Sequence, residues 1–485
     1  MTRRIDARRM CVSVVLALAY PTAVFASTHR PDRRTPGDYL ASLAGADRVV
    51  APASLYRALA VLHAKIPPFS RQTGLACSQC HYQFPQLTPF GRMFKLNGYT
   101  LTGLTVITQP GDTARGGSLS LLPIPAVGVM AVVSGTHTGK EQPGTQNNTA
   151  MLPQEFSVFL AGALTPRLGA FTQLTYSAAD GAVGIDNIDI RYANHTTVGT
   201  RDLLYGLTLH NNPTVQDAWN TVPAWSYPFM GSDVSPSPIA ATLIDGGLEQ
   251  QVVGFGAYSL FNQIFYAELT AYRSAPQGKS VPLDSSAENA TKGVIPYWRA
   301  AFQHVGQSTY WMVGAYGFSG RLYPTGVTGP TNHYTDAGFD AEVEQKAGAR
   351  TFIGRATYIH ENQTLDATFA AGGSEQVKND VTTSRASIGF LPSFRWGTTL
   401  AYFQTSGSGD VTLYAPAAVT GSRTGSPNTS GLVGEVQFNP WQNTRFGLQY
   451  VAYNKFNGAS TDYDVPAGRK AADNNTLYLY TWLAF

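Results

Sequence analysis

The sequence predicts an all-β transmembrane barrel of about 16 antiparallel strands behind a small N-terminal α-helical domain, and three observations carry that expectation. From about residue 123 onward the chain divides into strand-length segments, many alternating apolar and polar residues with period two. The connections between these segments alternate between short and long. Charge is scarce although the chain is not strongly hydrophobic: 13% of residues are charged, while mean hydropathy is −0.11. With 48 Gly, 25 Tyr and 24 Phe, this composition suits strands that offer apolar residues to lipid, polar ones to a lumen, and aromatic girdles to both interfaces.

The start of the chain reads as an export signal. Arg3, Arg4, Arg8 and Arg9 precede an apolar core around Val12 to Ala19, and Val24-Phe25-Ala26 is a small-residue cleavage pattern before Ser27. Residues 1–26 are therefore assigned to a signal peptide, which also removes Cys11 and leaves two cysteines. The signal holds four arginines and one aspartate, so the mature chain sets 30 bases against 30 acids. That balance gives no indication of nucleic-acid binding. No later apolar run reaches the roughly 18 residues a membrane helix requires.

Residues 27–118 form the expected front domain. A leader rich in Arg, Pro, Gly and Ala comes first. Ser54 to His63 has helical spacing through Leu55, Leu59 and Leu62, with Ser54 as cap and Pro67-Pro68 as terminator. The segment Phe69 to Tyr99 holds both cysteines and many aromatics, and Gly116-Gly117 introduces a different pattern.

Residues 119–485 form the expected barrel. Phe265, Ala267, Leu269 and Ala271 alternate with Tyr266, Glu268, Thr270 and Tyr272, and Leu432, Gly434, Val436 and Phe438 alternate with Val433, Glu435 and Gln437. A mid-strand glutamate requires a polar interior, which a closed barrel supplies while pairing every backbone group. Tight connections are expected at Thr165 to Leu168, Phe261 to Gln263, Val305 to Ser308, Leu391 to Arg395 and Pro440 to Thr444. Long ones are expected at Ser274 to Pro296, Ser319 to Thr335, Glu361 to Thr382, Ser406 to Ser430 and Asn454 to Asn474. Short periplasmic turns and long outer loops give bacterial barrels this rhythm. The final stretch from Leu477 to Phe485 resembles the assembly signal of outer-membrane proteins. A soluble β-sandwich or propeller is the competing architecture. The loop from Asn211 to Gln250, with Trp219, Trp225, Tyr227 and Phe229, either folds into the lumen as in porins or forms a lid packed on its own side chains.

The chemistry sits in Cys77-Ser78-Gln79-Cys80-His81. This is the c-type haem attachment sequence: two thiols add across the haem vinyl groups, and the adjacent histidine supplies the proximal iron ligand. A Cys77–Cys80 disulfide, a zinc site and a thioredoxin-like redox pair are the alternatives. Met93 is the favoured distal ligand, with His63 as rival; Met93 as plain core and His63 as an ordinary helix residue are the bland readings. Phe69, Phe84, Phe90 and Phe94 are candidate haem walls, and Arg71, Arg92 and Lys95 candidate propionate partners or solvated surface charges.

The run from Ile66 through Pro67-Pro68-Phe69, the Cys77–His81 motif and Pro89-Phe90-Gly91-Arg92-Met93-Phe94 to Tyr99 resembles the fused monohaem cytochrome–porins of iron-oxidising bacteria. The resemblance implies one covalent haem c held by Cys77, Cys80 and His81. It also implies an outer-membrane location, with the haem domain in the lumen or at its periplasmic mouth. The implied activity is that of an Fe(II) oxidase, taking electrons from extracellular Fe(II) and passing them to a periplasmic c-type cytochrome or copper protein. Asp217, Asp233, Glu268 and Glu435 are hard oxygen ligands available to Fe(II), or simply lumen polarity. Two other functions stay open: a conduit for another donor or acceptor, and a passive porin whose haem segment is a plug.

Overall fold

The computed structural model describes residues 67–101, 127–220, 230–274, 289–466 and 468–485. The expected signal peptide, the leader, the helix carrying His63, and Trp225, Tyr227 and Phe229 lie outside the described residues.

Sixteen strands, β3 (Val127–Thr138) to β18 (Thr476–Ala484), form one closed antiparallel barrel in which each pairs with its neighbours in sequence. Closure is made by β18 against β3, from Thr476 opposite Thr138 to Ala484 opposite Met130. A two-stranded hairpin, β1 (His81–Gln83) with β2 (Gln86–Leu87), lies outside this sheet.

Period-two alternation decides what faces each side. On β18, Tyr478, Tyr480, Trp482 and Ala484 are buried in the lumen, while Leu477 and Leu479 are exposed. On β9 (Phe265–Ser274), Tyr266, Glu268, Thr270 and Tyr272 turn inward and Leu269 is exposed. The exterior is dominated by exposed Leu, Val, Ile and Phe. Near the tight turns it carries aromatic pairs in register on adjacent strands: Trp396 with Phe438 at 4.6 Å, Phe352 with Phe390 at 4.6 Å, and Phe265 with Phe302 at 4.9 Å. Apolar flanks with an aromatic girdle suit lipid rather than water.

All five expected tight connections are turns at one end of the barrel. At the other end, the loop expected from Ser319 to Thr335 is shorter, because β11 (Thr309–Leu322) and β12 (Asn332–Ala347) stay paired as far as Leu322 and Asn332. The connection at 178–181, also at this end, has only four residues, against two or three in each turn opposite.

Described residues outside the barrel strands occupy much of the lumen. Residues 67–101 occupy its tight-turn half, and the segment between β7 (Arg201–His210) and β8 (Val252–Phe261) crosses it. Its described residues, 211–220 and 230–251, are fixed to the wall. Trp219 Nε1 donates to Tyr310 Oη at 2.6 Å, Gln449 Nε2 donates to the Met230 carbonyl at 2.7 Å, Ile244 N donates to Asp336 at 2.9 Å, and Asp245 pairs with Arg385 at 2.6 Å. The lid reading of this loop gives way to lumen insertion for its described residues.

Leu400, 60% exposed on β15 (Trp396–Gly407) and opposite the equally outward Ile388, faces lipid well inside the girdle. Leu400→Arg is expected to destabilise the folded barrel by about 2–4 kcal/mol, read by denaturant unfolding in lipid vesicles. A change below about 0.5 kcal/mol would contradict a lipid-facing position.

Candidate functional site

The motif-bearing segment is built from short pieces with clear stop and start signals. Pro68 begins α1 (Pro68–Thr73) at the position where a missing N–H costs nothing, and Gly74 ends it in the left-handed conformation at φ 68°. The Pro67-Pro68 pair therefore opens a helix here. One turn, α2 (Cys77–Cys80), carries both thiols and leads into the β1–β2 hairpin. Thr88 then caps α3 (Pro89–Leu96): its hydroxyl accepts from Gly91 N at 3.1 Å and donates to the Gln79 carbonyl at 2.5 Å, tying α3 to α2. Contact between the two helices depends on Gly91, where an added Cβ would lie 2.2 Å from the Cys80 carbonyl oxygen.

The segment is pinned to the barrel wall by ion pairs and hydrogen bonds. Arg92 reaches Glu342 at 2.7 Å and Glu344 at 2.8 Å on β12 and lies over the Tyr310 ring at 4.1 Å, all buried. Tyr82 donates to Glu344 at 2.7 Å, Tyr99 to Asp189 at 2.5 Å, and the Cys77 amide to the Gln442 side chain at 2.8 Å.

Between this segment and the wall lies a cavity with about 1490 Å³ of empty space, its mouth included. Cys77, Cys80 and His81 line it together with Phe69, Phe84, Phe94, Phe159, Phe171 and Trp482. Both thiols are free, and burial, reinforced by Cys77, pushes the Cys80 thiol up to about 11. His81 Nδ1 lies 3.3 Å from the Pro85 carbonyl, which fixes the tautomer and leaves Nε2 available to a metal. Burial pulls the His81 imidazole down to about 4, so it is neutral at ordinary pH, as a ligand must be. Arg445 also lines the cavity; it donates to the Phe84 carbonyl at 2.9 Å, and its buried Nε has no partner among the described residues. Apolar walls, two thiols, a neutral histidine with one nitrogen fixed, and a spare guanidinium N–H together fit a covalently tethered haem.

Among the described residues no three or more His, Cys, Asp or Glu side chains converge on a common point, and no disulfide joins Cys77 to Cys80.

Several expected site residues lie elsewhere. Met93 does not line the cavity; it packs against the cluster of Leu96, Trp219 and Tyr310 on the far side of α3. The reason is helical geometry: Gly91, Phe94 and Lys95 share the cavity face, and Met93 is rotated away from it. Phe90 is 41% exposed and is not a wall. Arg71 donates to the Val127 carbonyl, Arg92 is committed to two glutamates, and Lys95 donates to the Val215 and Asp217 carbonyls. Of these three only Lys95 lines the cavity, which also holds Arg445. Sequence reasoning missed Arg445, although the apolar alternation of Phe446, Leu448 and Tyr450 on the outer face sends it inward.

The four acidic candidates are not brought together. Asp217 accepts from Trp219 N at 2.9 Å, Glu268 from Tyr266 and Thr270, Glu435 from Gln449 and Tyr480, and Asp233 from Gln154 at 3.0 Å. Asp233, in the crossing loop, is pushed up to about 6 by burial and by Asp180.

No protein-family model matches the sequence, and no curated protein matches it. Among solved structures, the outer membrane channel DcaP of Acinetobacter baumannii is similar at 10% identity and TM-score 0.42, over 74% of this chain and 96% of that one. The anion-selective porin from Comamonas acidovorans is similar at 10% identity and TM-score 0.41, over 74% and 98%. In-vitro folded OmpT of Vibrio cholerae, in its trimer form, is similar at 10% identity and TM-score 0.40, over 74% and 98%. The fold described here rests on its own strand pairing.

Two substitutions on α3 separate its faces. Met93→Leu is expected to leave the optical spectrum and potential of the haem-loaded protein unchanged. Gly91→Ala, which forces α3 away from α2, is expected to cut covalent haem incorporation several-fold, measured by haem staining of the denatured chain. A lost or shifted long-wavelength band in Met93→Leu would restore Met93 as an iron ligand.

Proposed function

We propose that this protein is an outer-membrane electron-transfer cytochrome that accepts electrons from extracellular Fe(II) and delivers them to a soluble periplasmic carrier, a c-type cytochrome or a copper protein. The observation that carries the reading is the position of the Cys77–Cys80–His81 motif, on the wall of an apolar cavity enclosed by the barrel at its tight-turn end. Tight turns mark the periplasmic end of bacterial barrels, and the apolar, girdled exterior supports a lipid setting. A haem held by Cys77, Cys80 and His81 would supply a one-electron iron couple, matched to a one-electron donor such as ferrous iron.

The chain's own residues make the other contributions. Phe69, Phe84, Phe94 and Trp482 keep water from the cavity, and the Pro85 carbonyl orients His81. Arg445 offers a cation to an anionic group bound beside it. The packed lumen also favours conduction of electrons over ions. Along β18, the Tyr478 and Tyr480 rings lie 5.2 Å apart; Trp482 stacks on Phe84 at 5.0 Å, and Phe84 is 5.1 Å from His81. Dense side-chain matter couples donor and acceptor better than an open gap of the same length. A passive porin would need an open path, and the crossing loop and residues 67–101 work against one.

The test is stopped-flow mixing of Fe(II) with the oxidised full-length protein, followed at the haem absorbance, alongside planar-bilayer conductance of the same preparation. Reduction of the haem by Fe(II) with negligible steady conductance is the expected pair of results. Porin-like conductance with a haem that ignores Fe(II) would overturn the proposal, as would a colourless polypeptide from cells competent in cytochrome c maturation.

A further inference from the structure

Among the described residues, the tight-turn end of the barrel carries a charge imbalance that the cavity does not account for. Its seven turns present five basic residues, Arg167, Arg201, Lys346, Arg350 and Arg395, and one acid, Asp202. All five bases are exposed, and none forms an ion pair among the described residues; Asp202 is engaged with His195 at 3.2 Å. Residues 67–101 add no acidic residue. The long-loop end mixes signs, with Asp180, Asp366 and Glu375 among its acids.

The bases also bracket the cavity mouth. Phe394 and Asn439 line the cavity, and Asn439 N donates to the carbonyl of Arg395 at 2.7 Å, so Arg395 stands at the lip. Lys346 lies 5.7 Å from the ring of Tyr82, the residue after His81. The thiol-bearing turn α2 is within reach of solvent at this end: Gln79 is exposed, and the Cys77 amide is held by Gln442 of a rim turn. Beside it, exposed Phe90 supplies an apolar contact. A small apolar centre within a charged rim is the ordinary anatomy of a transient protein interface. Like charges gathered around it steer an oppositely charged partner and orient it on arrival.

We propose that this rim is the docking surface for a soluble electron-transfer protein presenting an acidic face, seated over α2 and Phe90 between Arg395, Lys346 and Arg350. The inference deepens the electron-conduit reading and rests on it for the purpose of the contact.

The test uses the full-length, haem-loaded protein in phosphatidylcholine nanodiscs, with one acidic and one basic soluble c-type cytochrome as probes. Binding is read by surface plasmon resonance and electron transfer by stopped flow. The acidic probe is expected to bind, with a Kd that weakens about tenfold or more between low and physiological salt, while the basic probe does not bind. The triple change R395E/K346E/R350E is expected to weaken acidic-probe binding about tenfold at low salt. The single change R201E, far round the rim, serves as a charge control and is expected to have a smaller effect. Equal binding of the two probes, or a triple variant that binds like the parent, overturns the proposal. So does a triple variant that loses only its adherence to phosphatidylglycerol vesicles, which would assign the rim to lipid headgroups. The binding readout does not depend on the donor. Specific acidic-probe docking by a protein whose haem ignores Fe(II) would therefore sink the iron reading and leave the docking surface standing.

Discussion

In lipid a backbone N–H or C=O has no partner but another part of the chain, and most of this structure follows from that constraint. Sixteen strands satisfy it by joining into a ring, with β18 returning to β3. A ring has an inside, and the alternation that makes its outside apolar sends Glu268, Arg299, Asp340, Glu342 and Glu435 inward. Such charges cannot stay alone in a packed interior: Arg299 pairs with Asp340 at 2.5 Å and Arg191 with Asp189 at 2.7 Å, while Glu268 and Glu435 accept from Tyr, Thr and Gln side chains. Arg92 completes the set from outside the ring, bringing the motif-bearing segment to the wall as the counter-charge of Glu342 and Glu344.

The barrel was legible because its signals are local. Period two, tight turns and loop length each span a few residues, and the strands at 265–274 and 429–441 face as their alternation predicts. The motif from Cys77 to His81 is equally local, five consecutive residues. The filling of the lumen was not legible, because its contacts join residues far apart in sequence: Arg92 with Glu342, Tyr82 with Glu344, Cys77 with Gln442. No periodicity encodes such partnerships.

The placement of Met93 is more instructive. Spacing from His81 suggested a residue able to fold back over the site, and a distance in sequence was allowed to stand in for a direction in space. The direction was available. Thr88-Pro89 is a strong helix start, and a helix from Pro89 puts Gly91, Phe94 and Lys95 on one face and Met93 on another. Arg445 was likewise one step away, given by the alternation of Phe446, Leu448 and Tyr450 on the outer face of its strand.

The cavity takes its walls from both ends of the chain. Phe69, Cys77 and His81 come early, while Trp482, Ala484 and Phe485 come last and reach it only through the strand that seals the ring. Sealing the ring and walling the cavity are one event, since a barrel whose last strand is unpaired also lacks the side of the cavity that this strand supplies.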